Sequence, residues 1–334
     1  MRAVDEGCKA MPDKPLHQPH DKLFRTNFRD LPTAIAFFRH YLPRRVVRRL
    51  DFSRMALVPG SYVTGRLKAS ESDLLFRAGL KGSEAEAFVY LLFEHQYEED
   101  RWIALRLSRY RQDIWETFLK EHPGAPGLPV IIPVVIAHNK TAWDVRPRFD
   151  WRLFDLPAEG KTDLSAYLPA FDFELLQLAQ LPFDKIAGTP LGIMTLRVFK
   201  AQREGGAFPA SEWVWDESLL ARIGTMALEQ IFSYIVGRPE FDIVDVEAKV
   251  SGFESETVKQ TAMTIAQRYI EKGKLEGIEK GREEGIEKGE LVGRIHMLQE
   301  LLGKKITPRK DLIRKSPAQL QALLNRLRSE HRAL

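Results

Sequence analysis

Residues 72–96 read SDLLFRAGLKGSEAEAFVYLLFEHQ. Two apolar runs, 72–80 and 87–96, flank the polar link Lys81-Gly82-Ser83-Glu84, the pattern of two strands joined by a short turn. With the turn centred between Ser83 and Glu84, Asp73 falls directly opposite Glu94. Directly opposed residues have Cβ atoms about 4.5 to 5.5 Å apart on one face of a sheet. Carboxylates that close, flanked by Leu74, Leu75, Leu92 and Phe93, repel each other strongly, and a cation between them relieves the repulsion. A divalent metal does this: hard oxygen donors suit Mg²⁺ or Mn²⁺, with waters and the backbone carbonyl of His95 completing the shell. Gln96 shares the face of Glu94 by strand alternation. The alternative is that Glu94 ends its strand facing solvent while Asp73 pairs with Arg77 or another basic side chain. A slip of one residue in register would put the two acids on opposite faces.

Outward from the hairpin, the period changes on both sides. Residues 20–50 show helical spacing through Leu23, Phe24, Phe28, Ile35, Phe37 and Phe38, with Pro43 as a stop, so two or three short helices precede the strands. Residues 100–120 return to helical spacing through Trp102, Leu105, Arg109, Ile114, Trp115 and Phe118, ending before the breaker run Pro123-Gly124-Ala125-Pro126-Gly127. The Ile- and Val-rich run 128–138 reads as a strand covered on both faces. Helix, hairpin, helix and buried strand make an α/β layer. The less regular stretch 151–237, with a strand near 173–178 and helices near 189–200 and 217–236, extends the same domain. The expected organisation is a flexible tail over 1–19, one domain over 20–237 with its core in 20–181, a long helix over 238–295 and a basic helical segment over 296–334.

A chain of 334 residues has room for about two domains of roughly 150 residues. With 44% hydrophobic and 29% charged residues, it reads as globular rather than disordered. Its single cysteine, Cys8, can form no internal bridge and suits a reducing cytoplasm. The opening residues lack the apolar run of a signal peptide, and the longest apolar run, 128–139, is too short for a membrane-spanning helix of about 20 residues. A cytoplasmic protein without a membrane partner is expected. The net charge of +4 says little, but its distribution is informative. Residues 39–54 hold six arginines against the single acid Asp51, and residues 303–334 hold nine Lys or Arg against two acids. Such patches suit the phosphate backbone of a nucleic acid, with Arg44, Arg45, Arg48 and Arg49 as contacts; the plain alternative is a solvated helix face.

Glycines recur every fourth residue at 273, 277, 281, 285, 289 and 293, within a helical pattern that begins at Glu256. Each costs a helix about 1 kcal/mol relative to alanine, so the repeat calls for compensation by packing or by Glu/Lys pairs. Four residues advance a helix by about 400°, so the stripe drifts by about 40° per repeat and suits a partner that wraps with it. Polar intervening residues exclude the membrane setting of such repeats. A homo-oligomer formed through residues 273–293 is expected, against the alternative of a charged helix alone in solvent.

Five stretches in order carry a resemblance to a known family: His20-Asp21-Lys22-Leu23-Phe24-Arg25; Glu71-Ser72-Asp73-Leu74-Leu75; Leu92-Phe93-Glu94-His95-Gln96; Leu105-Arg106-Leu107-Ser108-Arg109-Tyr110; and Leu128-Pro129-Val130-Ile131-Ile132-Pro133-Val134-Val135. Over 20–181 the chain resembles the Rpn family of recombination-promoting nucleases, also described as YhgA-like transposases, within the PD-(D/E)xK nuclease superfamily. The resemblance implies a restriction-endonuclease-like αβββαβ core with a helical C-terminal extension. It also implies Mg²⁺- or Mn²⁺-dependent hydrolysis of DNA phosphodiesters in recombination. Asp73 and Glu94 would be the metal ligands, and Gln96 would stand at the position the superfamily usually gives to lysine. Glutamine can orient the attacking water but brings no charge, so transition-state charge falls on the metal and nearby arginines, Arg106 first. Arg106 and Tyr110 share a helix face, and Asp21 could add an acid from the first helix or merely cap it. Tyr97 and Ala104 depart from the serine and proline common in the family, which bears on substrate detail. The rival reading is a noncatalytic DNA-binding or oligomerising scaffold with a degenerate nuclease core.

Overall fold

A computed structural model of the chain describes residues 19–59, 73–94, 99–157, 160–204, 211–237 and 243–332. The expected flexible tail lies outside these residues except for Pro19. The chain divides into two compact units, Met1–Ala266 and Gln267–Leu334.

The first unit opens with α1 (Pro19–Phe28), α2 (Leu31–Tyr41) and α3 (Arg44–Val47). Asp30 starts α2 by accepting from the Thr33 amide at 3.0 Å and the Thr33 hydroxyl at 2.7 Å, which satisfies a donor the first helical turn would otherwise leave unmade. Pro32 sits in that first turn, where its missing N–H costs nothing, and α2 stops two residues before Pro43. The strands β1 (Leu50–Leu57), β2 (Asp73–Leu80) and β3 (Glu86–Glu94) follow, then α4 (Ile103–Glu121) and β4 (Val130–Ala137). After the two-residue β5 (Arg148–Phe149), α5 (Gly160–Asp163) and the two-residue β6 (Phe171–Asp172) comes β7 (Glu174–Gln177). The main sheet has the order β1-β2-β3-β4-β7; β1, β2 and β3 pair antiparallel, while β4 lies parallel to both β3 and β7. Parallel neighbours need a crossover connection, and α4 supplies it between β3 and β4.

β3 sits in the middle of the sheet, and all but its first residue are buried. One of its faces presents Phe88, Tyr90 and Leu92, which pack with Leu75 of β2 against Ile103, Leu107 and Ile114 of α4. The other presents Phe93, stacked between Phe24 of α1 at 4.7 Å and Phe199 at 4.6 Å. Phe199 belongs to α6 (Pro190–Glu204), which packs with α1, α2 and the later helix α8 (Thr225–Val236). The sheet is thus covered by α4 on one side and by α1 and α6 on the other.

Three differences from the sequence reading have local causes. β1 was not expected: it is an edge strand carrying Asp51, Ser53 and Arg54, and its pairing with β2 is interrupted between Asp51 and Ala56, so no clean alternation marks it. The expected helix over 217–236 is two, α7 (Glu217–Leu220) and α8 (Thr225–Val236), because Gly224 breaks the run and stands as the residue that opens α8. The stretch expected as one long helix over 238–295 holds a separate α9 (Ile243–Val250), after which α10 (Glu256–Leu301) runs on to Leu301.

The second unit contains the later part of α10, then α11 (Arg309–Ile313) and α12 (Pro317–Arg332). Its core joins Leu291, Val292, Ile295 and Leu298 of α10 to Leu312, Leu320, Leu324 and Leu327. His296 and Gln299 bond to Thr307 and fix the connecting loop. The six glycines of the repeat all lie within α10, and a Cβ built on any of them meets nothing of the described residues within 4 Å.

Candidate active site

The register of the hairpin decides where the two acids stand. Asp73 pairs with Leu92, and Leu75 pairs with Tyr90, so Asp73 is not directly opposite Glu94 as expected from the sequence. The cause is the turn. Leu80 N donates to the Ala85 carbonyl at 2.9 Å, which centres the hairpin between Gly82 and Ser83, one residue earlier than expected; inside the loop Ser83 N donates to the Leu80 carbonyl at 3.2 Å and Gly82 takes φ +73°. Arg54 secures that turn by donating to the carbonyls of Leu80 and Ser83 at 3.0 and 2.9 Å. The pairing is therefore shifted by two residues, an even number, which preserves the face. Asp73 and Glu94 are diagonal neighbours on the α4 side of the sheet, with Cα atoms at a typical separation of about 7 to 8 Å.

Glu94 does not turn to solvent; it is 4% exposed at the end of β3. Its carbonyl accepts from the amide of His138 at 2.8 Å, which ties the end of β3 to the end of β4. Arg77, the partner considered for Asp73, pairs with Glu86 instead. Asp73 accepts from the Tyr90 hydroxyl at 2.5 Å, and the Tyr90 ring lies 5.4 Å from that of Tyr110 on α4. Arg106, one turn before Tyr110, reaches the same place from above. Its Nη2 pairs with Glu94 Oε2 and its Nη1 with Asp100 Oδ2 at 3.0 Å. Asp100 is held in turn by the start of α4, since its Oδ1 accepts from the Trp102 amide at 2.9 Å.

Electrostatics follow from this packing. Burial opposes charge on Arg106, but the Glu94 carboxylate outweighs it and holds the guanidinium above its ordinary range. Burial, and then the charge of Asp73, push the Tyr90 hydroxyl well above its usual value. Tyr110 is raised by the same two causes in the same order. Both phenols therefore remain protonated donors around neutrality.

The other expected residues are distributed as follows. His95 and Gln96 lie outside the described residues. Asp21 is buried on α1, which packs on the opposite side of the sheet from α4. Arg44, Arg45, Arg48 and Arg49 are exposed, and the Arg49 carbonyl accepts from Lys81 N at the turn end of the hairpin. That end is seven residue steps from Asp73, or about 24 Å along a strand. Tyr90 and Asp100 were missed. Strand alternation back from Glu94 would have found Tyr90, and an acid two residues before the first turn of α4 is a capping signal that would have found Asp100.

Among the described residues no three or more His, Cys, Asp or Glu side chains converge as a metal site. A two-carboxylate set still fits Mg²⁺ or Mn²⁺ in kind: Mg²⁺ usually takes one or two protein carboxylates and fills its shell with water and substrate phosphate oxygens. Asp73, Glu94 and Asp100 set against Arg106 leave two negative charges among these four side chains.

The family model described as "Putative transposase, YhgA-like" matches residues 18–210. The chain belongs to this family of YhgA-like proteins. Among curated relatives it is 31% identical over 170 residues to recombination-promoting nuclease RpnD of Escherichia coli O157:H7, a match covering 50% of this chain and 62% of that protein. It is 24% identical over 268 residues to recombination-promoting nuclease RpnA of Escherichia coli K12, covering 79% of this chain and 87% of the relative. It is also 24% identical over 176 residues to the inactive recombination-promoting nuclease-like protein RpnE of the same strain, covering 53% and 56%. No solved structure matches the chain. Among the described residues, no helix is long and apolar enough to cross a membrane.

Proposed function

We propose that this protein is a metal-dependent endonuclease that hydrolyses DNA phosphodiesters in recombination, on a core of the restriction-endonuclease-like αβββαβ type. The observation that carries this reading is the placement of Asp73 and the buried Glu94 on one face of the hairpin, beside the cation of Arg106. Membership of the family, and relatives named as nucleases, support the class of reaction. Asp73 and Glu94, with the His95 carbonyl, would hold Mg²⁺ or Mn²⁺. When bound, the ion supplies Lewis acidity toward phosphoryl oxygens and acidifies water. Gln96 orients the attacking water, and Arg106 and the protonated Tyr110 meet the charge that develops on the phosphate; Asp21, on the other side of the sheet, is left outside this set. Arg44, Arg45, Arg48 and Arg49 hold the DNA backbone. The protein acts in the cytoplasm as a homo-oligomer associated through residues 273–293.

A second reading, a noncatalytic DNA-binding or oligomerising scaffold, is favoured by the Arg106–Glu94 pair and by relatives named inactive. Supercoiled plasmid incubated with Mg²⁺, Ca²⁺ or a chelator separates the two. Mg²⁺-dependent nicking that disappears in Asp73→Asn and in Glu94→Gln supports the enzyme. Binding without cutting by the unaltered protein supports the scaffold, and equal cutting by both variants removes the proposed site.

A further inference from the structure

We propose that Arg106 is a two-position switch hinged on Asp100: its Nη2 neutralises Glu94 until a divalent cation takes that carboxylate, and then turns to a non-bridging oxygen of the DNA phosphodiester. This rests on the reading of Asp73 and Glu94 as metal ligands and assigns a positioning role to Asp100, which that reading does not use.

The geometry separates the two halves of the guanidinium. Nη2 is committed to Glu94 and Nη1 to Asp100, so one bond can open while the other holds. The hinge itself is fixed. Asp100 Oδ1 is taken by the Trp102 amide, its carbonyl accepts from Ile103 N at 3.0 Å, and Arg106 N donates to the Trp102 carbonyl at 3.0 Å, so both residues are tied to the first turns of α4. Lysine, with a single ammonium, has no second planar donor with which to keep one acid while releasing the other.

Burial makes the exchange concerted. Glu94, with its side chain 5% exposed, cannot shed its cation without leaving a carboxylate in a poorly solvated place. Arrival of another cation at Glu94 favours the departure of Nη2, so the charge of Arg106 becomes available to the substrate as the metal binds. The pair is then compatible with activity: it is the resting arrangement of the site, and it competes with the metal.

Competition can be measured without catalysis. Calorimetric titration of the full chain with Mn²⁺ should show Arg106→Gln binding the ion more tightly by about tenfold, while its plasmid cleavage falls. Arg106→Lys, which keeps the charge, should bind Mn²⁺ like the unaltered protein yet fail to restore cleavage. Asp100→Asn should lower kcat with KM for DNA unchanged, and Asp100→Glu should recover part of the loss. Unchanged or weaker Mn²⁺ binding in Arg106→Gln overturns the switch, as does full cleavage by Asp100→Asn. If Arg106→Gln does not fold, as judged by circular dichroism, the Asp100 pair decides alone. Failure of the underlying reading looks different: Glu94→Gln would then bind Mn²⁺ as well as the unaltered protein.

Discussion

The hydroxyl of Tyr90, at the centre of the sheet, donates to Asp73 across the hairpin at 2.5 Å, so a residue of the hydrophobic core aims a carboxylate of the candidate site. Tyr90→Phe removes one hydroxyl and keeps the ring against Tyr110. Denaturant titration should show a loss of about 1 kcal/mol, the usual net worth of such a bond. Plasmid cleavage should fall by about tenfold, as when a supporting partner of a metal-binding carboxylate is lost. Full cleavage by this variant would show that Asp73 needs no such aiming.

The shift of register predicts sensitivity at two glycines. A Cβ on Gly79 would lie 2.3 Å from Arg54 Nε, forcing out the side chain that bonds Leu80, Ser83 and Asp51. Gly82, at φ +73°, occupies a conformation that costs other residues about 1 to 2 kcal/mol. Gly79→Ala and Gly82→Ala should each lower stability by roughly that much, with Gly79→Ala also reducing cleavage if the turn relaxes. A melting temperature unchanged in both would contradict this account of the turn.

For α10, replacement of Gly277, Gly281 and Gly285 by alanine distinguishes a lone helix from a paired one. In a helix without neighbours, each change should stabilise by about 1 kcal/mol and leave the mass alone. With a partner helix lying against the stripe, the added methyl groups separate the copies, and light scattering should report the mass of one chain. The second result is the one we expect.

Stability should fall in acid through Asp216. Burial raises this carboxyl, but bonds from Ser218, Arg197 and the Leu219 amide outweigh it and hold it below its ordinary value. A depressed carboxyl stabilises fully above the unfolded value, near 4, and that contribution is lost as pH falls through the lower folded one. Asp216→Asn should cost roughly 1 to 3 kcal/mol at neutral pH and flatten the acid limb of the stability profile. A variant that keeps the full acid slope would remove Asp216 as its source.

How much was legible in the sequence depended on whether a signal was local. The helices around Phe24 and Phe37, the strands on either side of Lys81 and the buried run through Val134 all announce themselves by period. The face shared by Asp73 and Glu94 was legible too, because alternation survives an even shift. Their exact pairing was not, since it turns on one glycine and on Arg54 reaching back from a strand whose own pattern is broken. The partners of Glu94 and Asp73 were equally hidden: Arg106 was found as a candidate, but nothing in its spacing tells that it spans Glu94 and Asp100, a contact made only once α4 folds over the sheet.

The two borders of the sheet have a bearing on how molecules of this protein meet. β1 is interrupted between Asp51 and Ala56, and β7 is four residues long. Neither rim offers a long, regular row of amides on which a second chain could dock as an added strand. At these two described rims, strand-by-strand polymerisation of concentrated protein is disfavoured.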